Sequence, residues 1–103
     1  MEEISPVLFF KHYQNETKIK IIDLRESREY ELYHIEDTVN IPYSILLEKH
    51  HLFLNKHSKY YLICKNGNNS YQATKYLSRL GYNVINVIGG IDHFKGVVKT
   101  KYS

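Results

Sequence analysis

The sequence predicts an α/β fold in which a small parallel β-sheet carries helices on both faces. Apolar runs typical of buried strands occur at residues 19–24, 60–63 and 83–87, and a segment with helical spacing or helix-start signals follows each one. Between the second run and its helix lies a short loop rich in asparagine, with one glycine. Strands that are joined through helices lie parallel, and ligands are therefore expected at their carboxyl ends.

The first half of the chain contains clear helix and strand boundaries. Ser5 is a candidate N-cap, and Pro6 suits the first position of a helix. Tyr30 and Leu32 are candidates for partial burial on a short helix, and Pro42 ends a short strand. The elements predicted here are a helix at residues 6–13, a strand at 19–24, a helix at 26–32, a strand at 38–41 and a helix at 43–48.

The second half continues the alternation. Gly81 lies in the C-terminal capping region of the central helix, and Phe94 is the expected anchor of a last short helix. Gly89 and Gly90 would let the backbone pass close to another group. The expected buried face of the central helix consists of Ala73, Tyr76, Leu77 and Leu80. The predicted elements are a strand at 60–63, a helix at 70–80, a strand at 83–87, a loop at 88–90 and a helix at 91–94.

Composition indicates one globular domain over residues 1–103, with a core at about 5–96 and a tail at 97–103. Hydrophobic residues make up 43% and charged residues 24%, which argues against disorder. The single cysteine excludes an internal disulfide and a thiolate zinc cluster.

We expect a cytoplasmic protein, because the acidic start does not match a signal peptide and no apolar run has the length of a membrane span. The net charge of +3 comes from scattered lysines, which favours an anionic substrate weakly and gives little support to nucleic-acid binding.

Cys64 is the strongest candidate for a functional side chain. It ends a buried strand and begins a loop that leads to a helix N-terminus, where backbone N–H groups lack helical partners. A loop of this kind can form an anion cradle that favours thiolate over thiol, and the thiolate is the nucleophile. The residues of the candidate site are Cys64, Lys65, Asn66, Gly67, Asn68, Asn69 and Ser70. The alternative is a small buried cysteine without reactivity, but such a residue does not need this loop after it.

Two further groups of polar residues have open interpretations. Asp23 and Arg25 lie where the first strand ends, and they form either a structural ion pair or part of a site. His50, His51 and His57 match no standard spacing for metal ligands, so a surface or capping role is the better interpretation.

Several short motifs follow one another along the chain: residues 22–25 with Glu29 and Tyr30, His34 and Ile35, residues 39–42, residues 61–70 with Ala73, residues 77–81, and residues 87–91 with Phe94. Motifs in this order resemble those of the single-domain rhodaneses, and the resemblance covers nearly the whole chain. Asn69 stands where many members carry an arginine. The resemblance therefore implies that a charged substrate handle is missing and that Lys65 supplies a point charge near the site.

The resemblance implies a sulfurtransferase without a cofactor or metal. Cys64 would take sulfur from a donor such as thiosulfate, form a persulfide, and pass the sulfur to cyanide, a thiol or a protein acceptor. The N–H groups of the loop from Lys65 to Ser70 would stabilise the thiolate and the persulfide, and the Ser70 hydroxyl would contribute. In this family Asp23 and Arg25 are mainly structural. Neither nucleic acid nor a membrane is an expected partner.

Two alternatives stay open. The second hypothesis, after the sulfurtransferase, is a non-catalytic rhodanese-like module that binds a partner or carries sulfur in a relay, and the presence of Cys64 favours the enzyme over a purely structural module. A phosphatase or arsenate reductase of the same fold is disfavoured, because Ser70 occupies the position of the arginine that those enzymes use for oxyanions.

Overall fold

The computed structural model describes residues 1–16, 18–94 and 98–100. The strands are β1 (Glu2–Ile4), β2 (Lys20–Asp23), β3 (Tyr33–Ile35), β4 (Val39–Asn40), β5 (Lys59–Ile63), β6 (Asn83–Val87) and β7 (Val98–Thr100). The helices are α1 (Pro6–Asn15), α2 (Ser27–Leu32), α3 (Tyr43–Phe53), α4 (Asn68–Arg79) and a 3₁₀-helix (Gly90–His93). The predicted alternation of strands and helices is confirmed.

Five strands form one parallel sheet in the order β1-β6-β5-β2-β4. The central strand β5 pairs with β2 on one side and with β6 on the other, and its last residues therefore lie in the middle of the sheet edge. Because all five strands run the same way, the loops that follow β2, β5 and β6 gather at one end. This arrangement places Asp23, Cys64 and Gly89 at the same edge, as the sequence predicted.

Helices cover both faces of the sheet. Alternate strand residues pack on opposite sides, as the two-residue period of a strand requires. On one face, Leu62 packs with Leu46 of α3 and Leu77 of α4. On the other face, Tyr61 packs with Phe9 of α1, and the two rings meet edge to face with centroids 5.4 Å apart. The predicted α/β fold with two helical layers is confirmed.

The buried face of α4 differs from the prediction at two positions. Ala73 and Leu77 are buried as expected, whereas Tyr76 and Leu80 are exposed. Ser70 and Thr74 take their place beneath the helix, so the buried residues follow a regular spacing of three and four. Thr74 can be buried because its hydroxyl donates to the Ser70 carbonyl at 2.7 Å, which satisfies the polar group inside the helix. Leu32, another candidate for burial, is also exposed.

Both ends of the expected core at residues 5–96 need correction. Strand β1 lies before that range and pairs with β6, and Ile4 belongs to the buried core. Residues 98–100 lie within the expected tail at 97–103, but they pair antiparallel with β3. A short segment has little periodicity of its own, and pairing with an available strand decides its structure. Residues 97 and 101–103 lie outside the described residues.

Of the three histidines considered as possible ligands, His51 and His57 are exposed and His50 is half-buried. His50 shares a hydrogen bond of 2.8 Å with the hydroxyl of Tyr82, near the end of α3. Within the described ranges, no group of three or more histidine, cysteine or acidic side chains could hold a metal ion. The same part of the chain contains no helix with the length and hydrophobicity needed to cross a membrane.

Candidate active site

The loop after β5 turns sharply into α4 and folds around the sulfur of Cys64. Gly67 precedes the helix with φ of 98°, a left-handed backbone conformation that residues with a side chain rarely adopt. The turn brings the N–H of Gly67 to 3.1 Å and the N–H of Ser70 to 3.4 Å from Sγ. The Ser70 hydroxyl lies 3.3 Å from the same atom. Donors from two backbone amides therefore converge on one sulfur, and such donors favour a negative charge there.

The sulfur lies at the floor of an open cleft. Cys64 is only 4% exposed, yet it lines a cleft of about 270 Å³. The other lining residues are Leu24, Arg25, Glu26, Glu29, Lys65, Asn66, Asn68 and Asn69. Burial keeps water contact small, while the cleft leaves a route for a small reactant or the end of an extended chain.

The remaining loop residues form the rim of this cleft. Lys65, Asn66, Asn68 and Asn69 are exposed. The Asn68 N–H donates to the side-chain oxygen of Asn66 at 3.1 Å, so this amide points away from Sγ. The sequence predicted that the N–H groups of the loop from Lys65 to Ser70 surround the sulfur. Among the described residues, the structure brings two of them to Sγ, those of Gly67 and Ser70.

The turn at Gly89 and Gly90 packs directly against the loop backbone. The N–H of Ile91 donates to the Cys64 carbonyl at 2.8 Å, and the N–H of Asp92 donates to the Lys65 carbonyl at 3.0 Å. A Cβ on Gly90 would overlap the Cys64 carbonyl oxygen and would lie 2.6 Å from the Lys65 carbonyl. For Gly90 the expected close approach is thus an approach to the backbone that holds the candidate nucleophile, whereas a Cβ on Gly89 would overlap the His93 ring.

Asp23 and Arg25 form a buried ion pair in the wall of the cleft. The guanidinium Nη2 lies 2.9 Å from the Asp23 carboxylate, and Nε donates to both carboxylate oxygens at 3.1 Å. The same guanidinium donates to the backbone carbonyls of Tyr33 at 2.7 Å and of Glu29 at 3.4 Å. All three guanidinium nitrogens already bind protein oxygens, so they have little capacity left for an anion in the cleft.

Asn86 and Glu3 reach the site from the neighbouring strands, and sequence reasoning missed both. The Ser70 hydroxyl donates to the Asn86 side-chain oxygen at 2.6 Å, and the Asn86 amide nitrogen donates to the Glu3 carboxylate at 2.8 Å. Asn86 is 2% exposed. The available signal was a lone polar residue within the apolar run at residues 84–87, because a buried amide needs partners.

The fold and the cysteine loop at its sheet edge belong to a known protein family. The sequence profile of the rhodanese-like domain matches residues 9–96, which is most of the chain. The chain therefore belongs to the rhodanese-like domain family, and the resemblance found in its motifs is confirmed.

The individual relatives point to sulfur chemistry. YtwF of Bacillus subtilis, provisionally named a sulfurtransferase, is 31% identical over 98% of this chain and 97% of its own length. YrkF of the same organism, provisionally named a sulfur carrier protein, is 35% identical over 91% of this chain. The chain spans 51% of the length of YrkF, and as little as 18% of other curated relatives. The crystal structure of a rhodanese-related protein from Thermoplasma volcanium matches with a TM-score of 0.79 and 34% identity, covering 89% of this chain and 88% of that one.

Proposed function

We propose that this rhodanese-like chain is a sulfurtransferase that carries sulfane sulfur on Cys64 as a persulfide. The observation that carries the proposal is the convergence of the Gly67 and Ser70 N–H groups on Sγ at the floor of an open cleft. Two fixed donors stabilise the sulfur anion without any reorganisation when it forms. The kinship with proteins named for sulfur transfer and sulfur carriage supports the same conclusion.

The proposed reaction has two transfers. The Cys64 thiolate attacks the outer sulfur of a donor such as thiosulfate, a new S–S bond forms, and the old S–S bond breaks with its electron pair leaving on sulfite. An acceptor such as cyanide or a thiolate then attacks the outer sulfur of the persulfide. The Cys64–sulfur bond breaks, its electron pair returns to Sγ, and the acceptor leaves with the sulfur. A nucleophile that is regenerated in this way predicts ping-pong kinetics.

The loop and the cleft wall have different proposed roles. The backbone N–H groups hold the sulfur anion, and the side chains of Asn66, Asn68 and Asn69 contact the donor or the acceptor at the rim. Lys65 supplies a point charge for an anionic donor. Asp23 and Arg25 support the wall, because their hydrogen bonds are made to each other and to the backbone. A phosphatase is disfavoured, since Ser70 is buried and its hydroxyl is bound to Asn86 rather than directed at the cleft.

A second candidate is a sulfur-relay or partner-binding module with little turnover of its own. The observation that favours it is the relationship to YrkF, a provisionally named sulfur carrier protein of which this chain spans about half. The Asn69 side chain in place of an arginine points the same way, because a small anionic donor would find no guanidinium at this rim. In this case the persulfide would come from another protein and pass to a third one.

Intact-mass measurement separates these possibilities. We expect the chain to gain the mass of one sulfur atom when it is mixed with thiosulfate, and the Cys64→Ser variant to gain none. A gain with a low-molecular-weight persulfide but not with thiosulfate would favour the relay. No gain with any sulfane donor would falsify the proposal. Thiocyanate release after addition of cyanide then tests the second transfer.

A further inference from the structure

A continuous series of hydrogen bonds, buried at Ser70 and partly exposed at Glu3, joins the Cys64 sulfur to the N-terminal strand. It runs from Sγ to the Ser70 hydroxyl at 3.3 Å, from that hydroxyl to the Asn86 side-chain oxygen at 2.6 Å, and from the Asn86 nitrogen to the Glu3 carboxylate at 2.8 Å. Ser70 is fully buried and Asn86 nearly so. The elements involved are α4, β6 and β1, and neither Asn86 nor Glu3 lines the cleft.

The carboxylate of Glu3 determines which group donates and which accepts in each of these hydrogen bonds. An ionised carboxylate can only accept hydrogen bonds, and the Asn86 side chain must therefore turn its NH₂ group toward Glu3. The amide oxygen of Asn86 then faces Ser70 and accepts the hydroxyl proton. At 2.6 Å this is the shortest contact of the Ser70 hydroxyl; its alternatives, the Gly67 carbonyl and Sγ, both lie at 3.3 Å.

The direction of these hydrogen bonds determines which side of the Ser70 hydroxyl faces the Cys64 sulfur. A hydroxyl has one proton, and the proton of Ser70 is held by Asn86, so an oxygen lone pair faces Sγ. A Cys64 thiol can donate to that lone pair, whereas a thiolate would be repelled by it and would keep only its two backbone donors. We propose that Asn86, oriented by Glu3, is a positioning residue that holds the Ser70 proton away from Cys64 and thereby restrains the reactivity of the resting sulfur.

The charged groups around the cleft do not offer the same control. Those facing the sulfur side of the cleft are Arg25, which is paired with Asp23, together with Glu26, Glu29 and Lys65. None of them contacts Ser70 or Asn86 in the hydrogen bonds of the described residues. A change at Glu3 therefore leaves these groups in place and acts on the sulfur through Asn86 and Ser70.

Replacement of Glu3 by lysine should exchange donor and acceptor in the hydrogen bonds that Asn86 makes. An ammonium group can only donate, so the Asn86 oxygen turns toward it, the Asn86 NH₂ group donates to Ser70, and the Ser70 proton is free to point at Sγ. One added hydrogen bond to the thiolate should raise the rate of iodoacetamide alkylation on the order of tenfold near pH 7. The whole alkylation profile between about pH 6 and 9 should move to lower pH.

The matched control is Glu2→Lys. Glu2 is exposed on the same strand, and its replacement changes the net charge by the same amount without entering the chain of hydrogen bonds. We expect Glu3→Lys to react about tenfold faster than Glu2→Lys, with both variants folded by thermal unfolding. Equal alkylation rates in the two variants, or a slower reaction in Glu3→Lys, would overturn the proposal.

Two further variants show whether the effect passes through the proposed residues. In a Ser70→Ala background, Glu3→Lys should no longer change the alkylation rate, and a persistent acceleration would contradict a role for the hydroxyl. Asn86→Ala removes the acceptor of the Ser70 proton and should itself accelerate alkylation, whereas a merely structural asparagine would leave the reaction unchanged or slower. The inference rests on the proposed function in taking Cys64 as the nucleophile. Alkylation needs no sulfur donor, however, so its outcome and that of the mass measurement with thiosulfate are independent.

Discussion

Replacement of Gly90 by alanine tests how closely the 3₁₀-helix turn holds the candidate nucleophile. Gly90 has φ of 65°, and a Cβ there would lie 2.6 Å from the carbonyl carbon and oxygen of Lys65. An ordinary contact begins at 3.4 Å, so relief of the Lys65 contact alone needs a separation of about 0.8 Å, and the Cys64 carbonyl oxygen, which is closer still, needs more. That shift would disrupt the hydrogen bonds from Ile91 and Asp92 to the loop, which measure 2.8 and 3.0 Å.

The magnitude follows from these contacts. Left-handed backbone costs a non-glycine residue about 1–2 kcal/mol, and each lost hydrogen bond adds about 1 kcal/mol to the loss in the free energy of unfolding. We therefore expect Gly90→Ala to destabilise the fold by about 3–4 kcal/mol. A shift approaching 1 Å in the backbone that holds Cys64 should also slow sulfur transfer by about 10- to 100-fold.

Gly81→Ala is the matched control for this experiment. Gly81 also has a positive φ, of 96°, but a Cβ there would meet only the flexible side chain of Lys56 at 3.6 Å. It should therefore lose about 1–2 kcal/mol of stability and keep its reactivity. Urea unfolding gives the stabilities, and the rates of Cys64 alkylation and of sulfur gain by intact mass give the reactivity. If Gly90→Ala reacts as fast as Gly81→Ala, the close packing does not position the loop and the reasoning fails.

Three further predictions concern charged and titratable groups. Arg25→Ala should lower the free energy of unfolding by about 3–5 kcal/mol in urea titrations, because it leaves the buried Asp23 carboxylate unpaired; a loss no larger than that of a surface variant would contradict this. Lys65→Ala should slow sulfur transfer from thiosulfate about two- to fivefold in initial-rate assays, whereas the exposed Lys75→Ala should not, and equal rates would remove Lys65 from the site. Burial and neighbouring acidic groups raise the pKa of Tyr13 above 10.0. Because the unfolded chain then loses its proton first, stability should fall as the pH rises above about 10, and Tyr13→Phe should lessen that fall in alkaline thermal denaturation.

The local signals in the sequence were sufficient for most of the fold. Residues 60–63 and 83–87 are apolar enough to be recognised as strands, and the glycine and asparagine loop between strand and helix marks where β5 ends. Ser5 was recognised as an N-cap because its side chain competes for the first free N–H groups, and it accepts from Leu8 at 3.2 Å. Each of these features depends on neighbours within a few residues, which a single sequence displays directly.

The missed features depend on contacts between distant segments. Glu3 and Asn86 are 83 residues apart, and nothing local to either residue indicates the other. Strand β1 is too short to show a period, and it forms because the edge of β6 offers unpaired backbone groups. For Asp23 and Arg25 the local sequence left an ion pair and a substrate site as equal alternatives, and only the family resemblance favoured a structural role. The positions of the surrounding carbonyls, which the sequence does not display, show where the guanidinium nitrogens point.

The buried ion pair also determines what electrostatic field an incoming reactant meets. The guanidinium that could have attracted an anion is neutralised by its own aspartate, so the remaining charges on the cleft wall are two glutamates, Glu26 and Glu29, opposite the ammonium of Lys65. These two carboxylates would oppose the attraction that Lys65 exerts on a doubly charged donor such as thiosulfate, whereas they would not oppose a neutral persulfide or a cationic protein tail. Added salt screens these charges, so ionic strength should change the rate with thiosulfate and leave that with a neutral donor unchanged.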